Sequence, residues 1–179
     1  MDHSIRVADT AVFLAKKYGA NVALVEKAGL LHDIAKNQTP ESLTSFGIDG
    51  ERYRNIWEEY PAVWHAFVGP QLIEYEFPNE SVEIREMVQC HTTGQRMMGL
   101  ESKIIFISDF TEPLRQHAQR QAVADISEQD LNQAVAWITH YSIKKLSAKN
   151  APIHPFTKDC WEYYCKYIVN SEKWHRNEY

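Results

Sequence analysis

The stretch Val25-Glu26-Lys27-Ala28-Gly29-Leu30-Leu31-His32-Asp33-Ile34-Ala35-Lys36 decides how this chain is read. Val25, Ala28 and Leu31 recur at three-residue spacing, the period of one helix face, and the helix they define ends on His32-Asp33. A neighbouring imidazole and carboxylate can offer a nitrogen and an oxygen to one hydrolytic metal ion. Two ligands do not make a site, and the same dipeptide also describes an exposed polar helix end. Lys36 stands four residues after His32 on the same face, where its ammonium can reach a phosphate held at the metal. A solvated lysine favoured by the helix macrodipole is the other reading.

Working outward, the dominant period stays helical. Ile5, Ala8, Val12 and Ala15 mark a first helix, separated from the second by a break near Gly19. Thr39-Pro40-Glu41 reads as a further helix start, with a capping hydroxyl, a proline at the first helical position and an acid in the first turn. Asn79 is the expected cap of a helix whose Ile84, Met87, Val88 and His91 share a face, ending at Thr92-Thr93-Gly94. Ser127-x-x-Asp130 resembles a capping box ahead of Leu131, Val135, Ile138 and Tyr141. A last helix carries Trp161, Tyr164, Cys165 and Ile168. Ile104-Ile105-Phe106-Ile107 has the composition of a strand but no partner strand, and a lone strand leaves its backbone groups unsatisfied. It is assigned to a buried helix that stops before Pro113. The fold class is all-α.

The whole chain sets bounds on function. Its 179 residues suit one domain that buries roughly two-thirds of its unfolded surface, and no linker or repeat marks a second. A net charge of −5 gives no long-range attraction for phosphate backbones, so nucleic acid is not expected as a partner, whereas a small anion answering to a local cleft is compatible. Cys90, Cys160 and Cys165 match neither a redox nor a zinc-ribbon spacing and read as reduced packing residues. With neither a signal sequence nor 18 consecutive apolar residues in view, the cytoplasm is the expected location and no membrane partner is expected.

Four further residues strengthen the metal reading. His3, His65, His91 and Asp109 fall on separate predicted helices among apolar neighbours. His91 follows Ile84, Met87 and Val88 on their face, and Asp109 falls four residues after Ile105. A buried ring or carboxylate must be hydrogen-bonded, paired or bound to metal, and one metal cluster would satisfy all of these groups together. His117, His140, His154 and His175 show no comparable arrangement and are read as surface or packing residues. The aromatic tail (Trp161, Tyr163, Tyr164, Tyr167, Trp174, Tyr179) is read as packing, with a homodimer interface as a possible second use.

The ordered set His3, His32-Asp33, His65, His91 and Asp109 resembles the HD-domain metal-dependent phosphohydrolases. Ala28-Gly29-Leu30-Leu31-His32-Asp33-Ile34-Ala35-Lys36, His91-Thr92-Thr93-Gly94 and the segment from Lys103 to Pro113, with its Asp109-x-x-Glu112-Pro113, are similar to the YqeK-like branch of symmetrical dinucleoside tetraphosphatases. The likeness runs from His3 to about Arg115. It implies one HD domain over residues 1–179, with a motif-bearing core to about 115 and helices over 127–170 packed on it. It also implies a dinuclear centre of iron, with manganese or another divalent ion as substitute, in which Asp33 bridges the two ions. His3, His32 and Asp109 would complete one ion's ligands, and His65 with His91 would hold the other. The implied reaction splits diadenosine tetraphosphate into two ADP with a water activated by the metals, Asp33 and Lys36 carrying the catalytic roles. Lys36, Thr92, Thr93, Gly94 and Arg115 would contact the substrate. His3 departs from the family pattern in lying almost at the chain start, where ends commonly fray. Two other outcomes are compatible with these residues: an HD enzyme acting on another phosphoester, and a regulatory protein that binds nucleotide without turnover.

Overall fold

A computed structural model of the protein describes residues 2–168, and among them it contains helices and turns but no strand. Helices α1 (Asp2–Tyr18) and α2 (Val22–Leu31) form an antiparallel pair. Gly19, at φ 70°, reverses the chain between them, and the Ala20 amide reaches back to the Ala15 carbonyl. Asn21 then caps α2 by accepting from the Leu24 amide at 3.2 Å. The buried face of α1 is Val7, Ala8, Ala11, Leu14 and Ala15, so the expected stripe is shifted: Ile5 is 45% exposed and Val12 only half-buried. Small residues line that face because the two backbones nearly touch. A Cβ at Gly29 would lie 2.7 Å from Ala8 Cα.

The Thr39-Pro40-Glu41 signal does start a helical segment, but a 3-10 helix (Ser42–Phe46) and not an α-helix. Thr39 accepts from the Ser42 amide, Pro40 precedes the helical residues, and Gly47 at φ 66° ends the run after five of them. A second 3-10 turn (Gly50–Tyr53) leads into α3 (Arg54–Glu59) and α4 (Trp64–Glu76). Helix α5 (Val82–Cys90) is capped by Ser81, not by the expected Asn79, because Ser81 has the extended backbone that lets its hydroxyl accept from the Ile84 amide. The apolar run 104–107 lies wholly buried in α6 (Leu100–Thr111), which stops two residues before Pro113 as expected.

Helix α7 (Arg120–Ser127) had no counterpart in the sequence reading. Ser127 closes α7 and donates to the Ala124 carbonyl, while Asp130 alone caps α8 (Leu131–Ala148), so no capping box forms between them. Helix α9 (Pro155–Tyr164) ends earlier than expected: Cys165 begins a 3-10 turn and Ile168 lies beyond it. Tyr164 is buried in the main core and Tyr163 and Tyr167 pack against that core, whereas Trp174 and Tyr179 lie outside the described residues. One apolar cluster runs from Ala11 through Val88, Ile105 and Ile138 to Tyr164, drawing on both the motif-bearing helices and those that follow. A smaller one, centred on Leu43, Trp64 and Leu72, seals the 3-10 segments against α4. Cys90 and Cys160 are buried free thiols, and burial pushes Cys90 up to about 12, which leaves it inert. No helix among the described residues is long and apolar enough to cross a membrane.

Candidate metal centre

Two histidines at helix C-termini set the frame. His32 follows α2 and donates through Nδ1 to the Gly29 carbonyl at 2.7 Å; His91 follows α5 and donates through Nδ1 to the Val88 carbonyl at 2.6 Å. Both carbonyls belong to a last helical turn, where the backbone has no helical donor to meet. Each bond fixes its tautomer, so each Nε2 carries a bare lone pair. Their rings lie 5.0 Å apart, with His3 beside His32 and His65 beside His91, so that four imidazoles stand in a row.

The two carboxylates fit between these rings. Asp33 presents Oδ1 to His65 Nε2 at 3.1 Å and His91 Nε2 at 3.5 Å, and Oδ2 to His32 Nε2 at 3.5 Å. Asp109, from α6, lies with Oδ1 3.0 Å from His3 Nε2 and 3.7 Å from His32 Nε2. Two triads of donor atoms result, each within 4.8 Å mutually: His3, His32 and Asp109, and His32, Asp33 and His91. His65, in neither triad, joins them with its Nε2 3.3 Å from His91 Nε2, so all six residues read from the sequence as ligands meet. His3 is held within the first turn of α1, bonded to α6, and is not a frayed end.

The electrostatics suit divalent cations. Burial pushes the His32 ring down to about 4, helped by the neighbouring His91, and burial also lowers His65. His32 is thus neutral near pH 7. Burial works to raise Asp33 and Asp109, but the His65 N–H holds Asp33 well below the usual carboxylate range, and the His3 N–H with the Arg115 charge does so for Asp109. The bare Nε2 atoms of His32 and His91 face oxygens of Asp33 and Asp109, and such pairs repel one another unless a cation stands among them. This donor chemistry of imidazole and carboxylate fits divalent transition-metal ions.

A consequence for acid stability follows from His32. Its folded value lies below the ordinary 6.5, so the unfolded chain takes up this proton first, and stability present above about 6.5 is lost as the pH falls towards 4. The metal-free protein should show a falling Tm across that window, and His32→Gln should flatten the fall. An identical slope in the variant would exclude the assignment.

Cationic side chains flank both ends of the row. Lys36 donates to Asp33 Oδ1 at 3.3 Å and lies as near to His65 Nε2, with half its side chain in solvent. Arg115 clamps Asp109 through both the carboxylate and the backbone carbonyl. Thr92 and Thr93 follow His91 in a turn, their buried hydroxyls without a protein partner among the described residues. Gly94 is accounted for without a ligand: it adopts φ 60°, and a Cβ there would meet Cys160 Sγ at 2.7 Å.

Sequence reasoning missed two participants. Glu112, 2% exposed, accepts from His3 Nδ1 at 3.2 Å and is held by Arg6 Nε at 2.7 Å and the Leu114 amide at 2.9 Å. Burial works to raise its carboxyl, yet the Arg6 bond and the Leu114 amide bring it down to about 2. The signal was present as spacing: Arg6 lies three residues after His3, and Glu112 three after Asp109. Among the described residues, the histidines set aside are packing groups. His117 donates to the Phe110 carbonyl, His140 lies between Trp137 and Trp161, His154 caps α9, and His175 falls outside the described residues.

Comparison with known proteins identifies the family. The HD domain model matches residues 1–114. The symmetrical bis(5'-nucleosyl)-tetraphosphatase of Bacillus subtilis is 31% identical over 155 residues, spanning 87% of this chain and 83% of that protein. Its namesake from Staphylococcus aureus is 32% identical over 168 residues, spanning 91% and 85%. A crystal structure from Clostridium acetobutylicum, described as an HD superfamily hydrolase involved in NAD metabolism, superposes with a TM-score of 0.82 at 28% identity, covering 93% of this chain and 88% of that one. Every ligand candidate lies inside the matched region, and this chain belongs to the HD-domain family, beside the symmetrical bis(5'-nucleosyl)-tetraphosphatases.

Proposed function

We propose that this protein is a metal-dependent hydrolase that cleaves dinucleoside tetraphosphates symmetrically, diadenosine tetraphosphate giving two ADP. The observation that carries the proposal is Asp33, whose two oxygens face different histidines, Oδ1 towards His65 and His91 and Oδ2 towards His32. Asp33 would in this reading be the carboxylate shared by two ions. In this reading His3, His32 and Asp109 hold one ion and His65 with His91 the other, with iron as the native metal and manganese able to replace it. When bound, such ions lower the pKa of a water and neutralise charge growing on the phosphoryl oxygens.

The remaining work falls to the chain itself. His32 and His91, locked by their Nδ1 bonds, keep their lone pairs aimed without further reorganisation. Lys36 at one end of the row and Arg115 at the other each present positive charge to a polyphosphate laid along it, and the Thr92 and Thr93 hydroxyls, buried without a protein partner among the described residues, are proposed as donors to its oxygens. Gly94 shapes the turn that carries them. A cytoplasmic setting with three unpaired thiols, and a small-molecule substrate in place of nucleic acid or membrane, complete the reading.

The test is product analysis. Diadenosine tetraphosphate with manganese or ferrous ion should give two ADP; AMP plus ATP would contradict symmetrical cleavage, and no turnover would point to another phosphoester or to binding without catalysis. NAD makes a useful parallel substrate, since the Clostridium neighbour is described through NAD metabolism. Lys36→Ala should lower kcat/KM by about 10- to 100-fold, the value of one hydrogen bond to a charged group, with metal stoichiometry kept. Unchanged kcat/KM in that variant would remove Lys36 from the substrate site.

A further inference from the structure

The His3 ring is the only imidazole of the row whose Nδ1 is bonded to a side chain rather than to its own helix, among the bonds described. Glu112 Oε1 accepts from it at 3.2 Å. The other oxygen, Oε2, is fixed twice over, by Arg6 Nε at 2.7 Å and by the Leu114 amide at 2.9 Å. Arg6 comes from the same helix as His3, so α1 supplies both the ring and the clamp on its acceptor. Glu112 sits at the end of α6 with ψ 145°, the extended geometry that a residue before proline prefers, and Pro113 turns the chain so that the Leu114 amide closes on the carboxylate. A carboxylate 2% exposed and held by three donors cannot swing away.

We propose that Glu112, anchored by Arg6, is the positioning residue of the metal centre: it fixes the proton of His3 on Nδ1 and so leaves Nε2 free for a cation beside Asp109. The inference rests on the metal reading of the cluster. It does for His3 what the Gly29 and Val88 carbonyls do for His32 and His91, with a side chain standing where those two rings use the backbone. Glu112 touches neither substrate nor cation in this scheme and acts through His3.

The isosteric variant gives the sharpest test. In Glu112→Gln, the two donors on Oε2 demand an acceptor there, so the amide oxygen takes that place and the NH2 group faces His3 Nδ1. An N–H donor opposite Nδ1 forces the proton to Nε2, the atom that must be bare. Zinc, being diamagnetic, serves as the probe for competition titration and for imidazole 15N NMR of the full chain. The wild type should bind two equivalents. Glu112→Ala should weaken one of them by about 10- to 100-fold, as removal of such an outer partner does, and Glu112→Gln by at least as much despite its unchanged volume. In the zinc-loaded wild type, where Nε2 no longer shares a proton with Asp109, the His3 proton should sit on Nδ1, and in Glu112→Gln under the same zinc that form should be lost. The double variant with His3→Ala should bind no more weakly than His3→Ala alone.

Wild-type binding of both equivalents by Glu112→Ala and Glu112→Gln, with one equivalent lost in His3→Ala, would overturn the role of Glu112 while the metal reading stands. Wild-type binding by His3→Ala and Asp33→Ala as well would overturn the metal reading itself. An unchanged His3 tautomer in Glu112→Gln also counts against the proposal, whatever the affinities.

Discussion

Asp33→Ala should bind neither ion with useful affinity and should lose at least about a thousandfold in turnover. The size follows from what Asp33 touches: its two oxygens face three of the four imidazoles, so one truncation removes a donor from both halves of the row. Two cations at a phosphoryl centre supply several kcal/mol of transition-state stabilisation, and about 4 kcal/mol is three decades in rate. The metal-free fold should survive, because Asp33 stands past the end of α2 with 19% of its side chain exposed and contributes nothing to either apolar cluster. Thermal unfolding separates these effects. Ligands that bind only the native state stabilise it by mass action, about 2.7 kcal/mol at a hundred times Kd, so added manganese should raise the Tm of wild type and leave that of Asp33→Ala in place. Equal metal content and equal rate in the two proteins would remove the central claim.

The site was legible in the sequence where function and helix periodicity coincide. His91 could be placed in the interior because Ile84, Met87 and Val88 share its face, and all four are buried. The helix expected over Ile104–Ile107, because a strand needs a partner, is α6, and it delivers Asp109. What the sequence concealed depends on contacts between distant segments. The spacing of Arg6 from His3 and of Glu112 from Asp109 is visible in the sequence, but their pairing exists because α1 crosses α6 and brings residues 106 positions apart within hydrogen-bonding distance. The caps failed for a different reason. Asn79 and Ser81, like Ser127 and Asp130, are all competent capping types, and the choice within each pair is made by which residue the turn leaves extended. The offset stripe of α1 reflects tertiary packing: alanines, not the larger Ile5 and Val12, face the closest crossing.

That crossing carries the second large prediction. Gly29→Val should destabilise the protein by at least about 3 kcal/mol and weaken metal binding with it. A Cβ at position 29 would lie 2.7 Å from Ala8 Cα and 2.9 Å from Ala8 N, backbone atoms that no rotamer change can move, so α1 must shift bodily. The usual helix gain on replacing glycine, about 1 kcal/mol, is too small to offset this. The damage should not stop at packing. The Gly29 carbonyl holds His32 Nδ1, and α1 carries His3 and Arg6, so one added side chain disturbs the relation between both ring systems and Asp109. Gly99→Ser is the fitting control: no atom lies within 4 Å of its would-be Cβ, it occupies the cap of α6, and a serine there should leave stability unchanged or slightly raised. Chemical denaturation of the metal-free proteins reads the first effect and zinc titration the second. A Gly29→Val protein as stable as wild type would show that α1 and α2 yield where the structure has them rigid, whereas lost stability with intact two-site zinc binding would show that His32 is not set by this crossing.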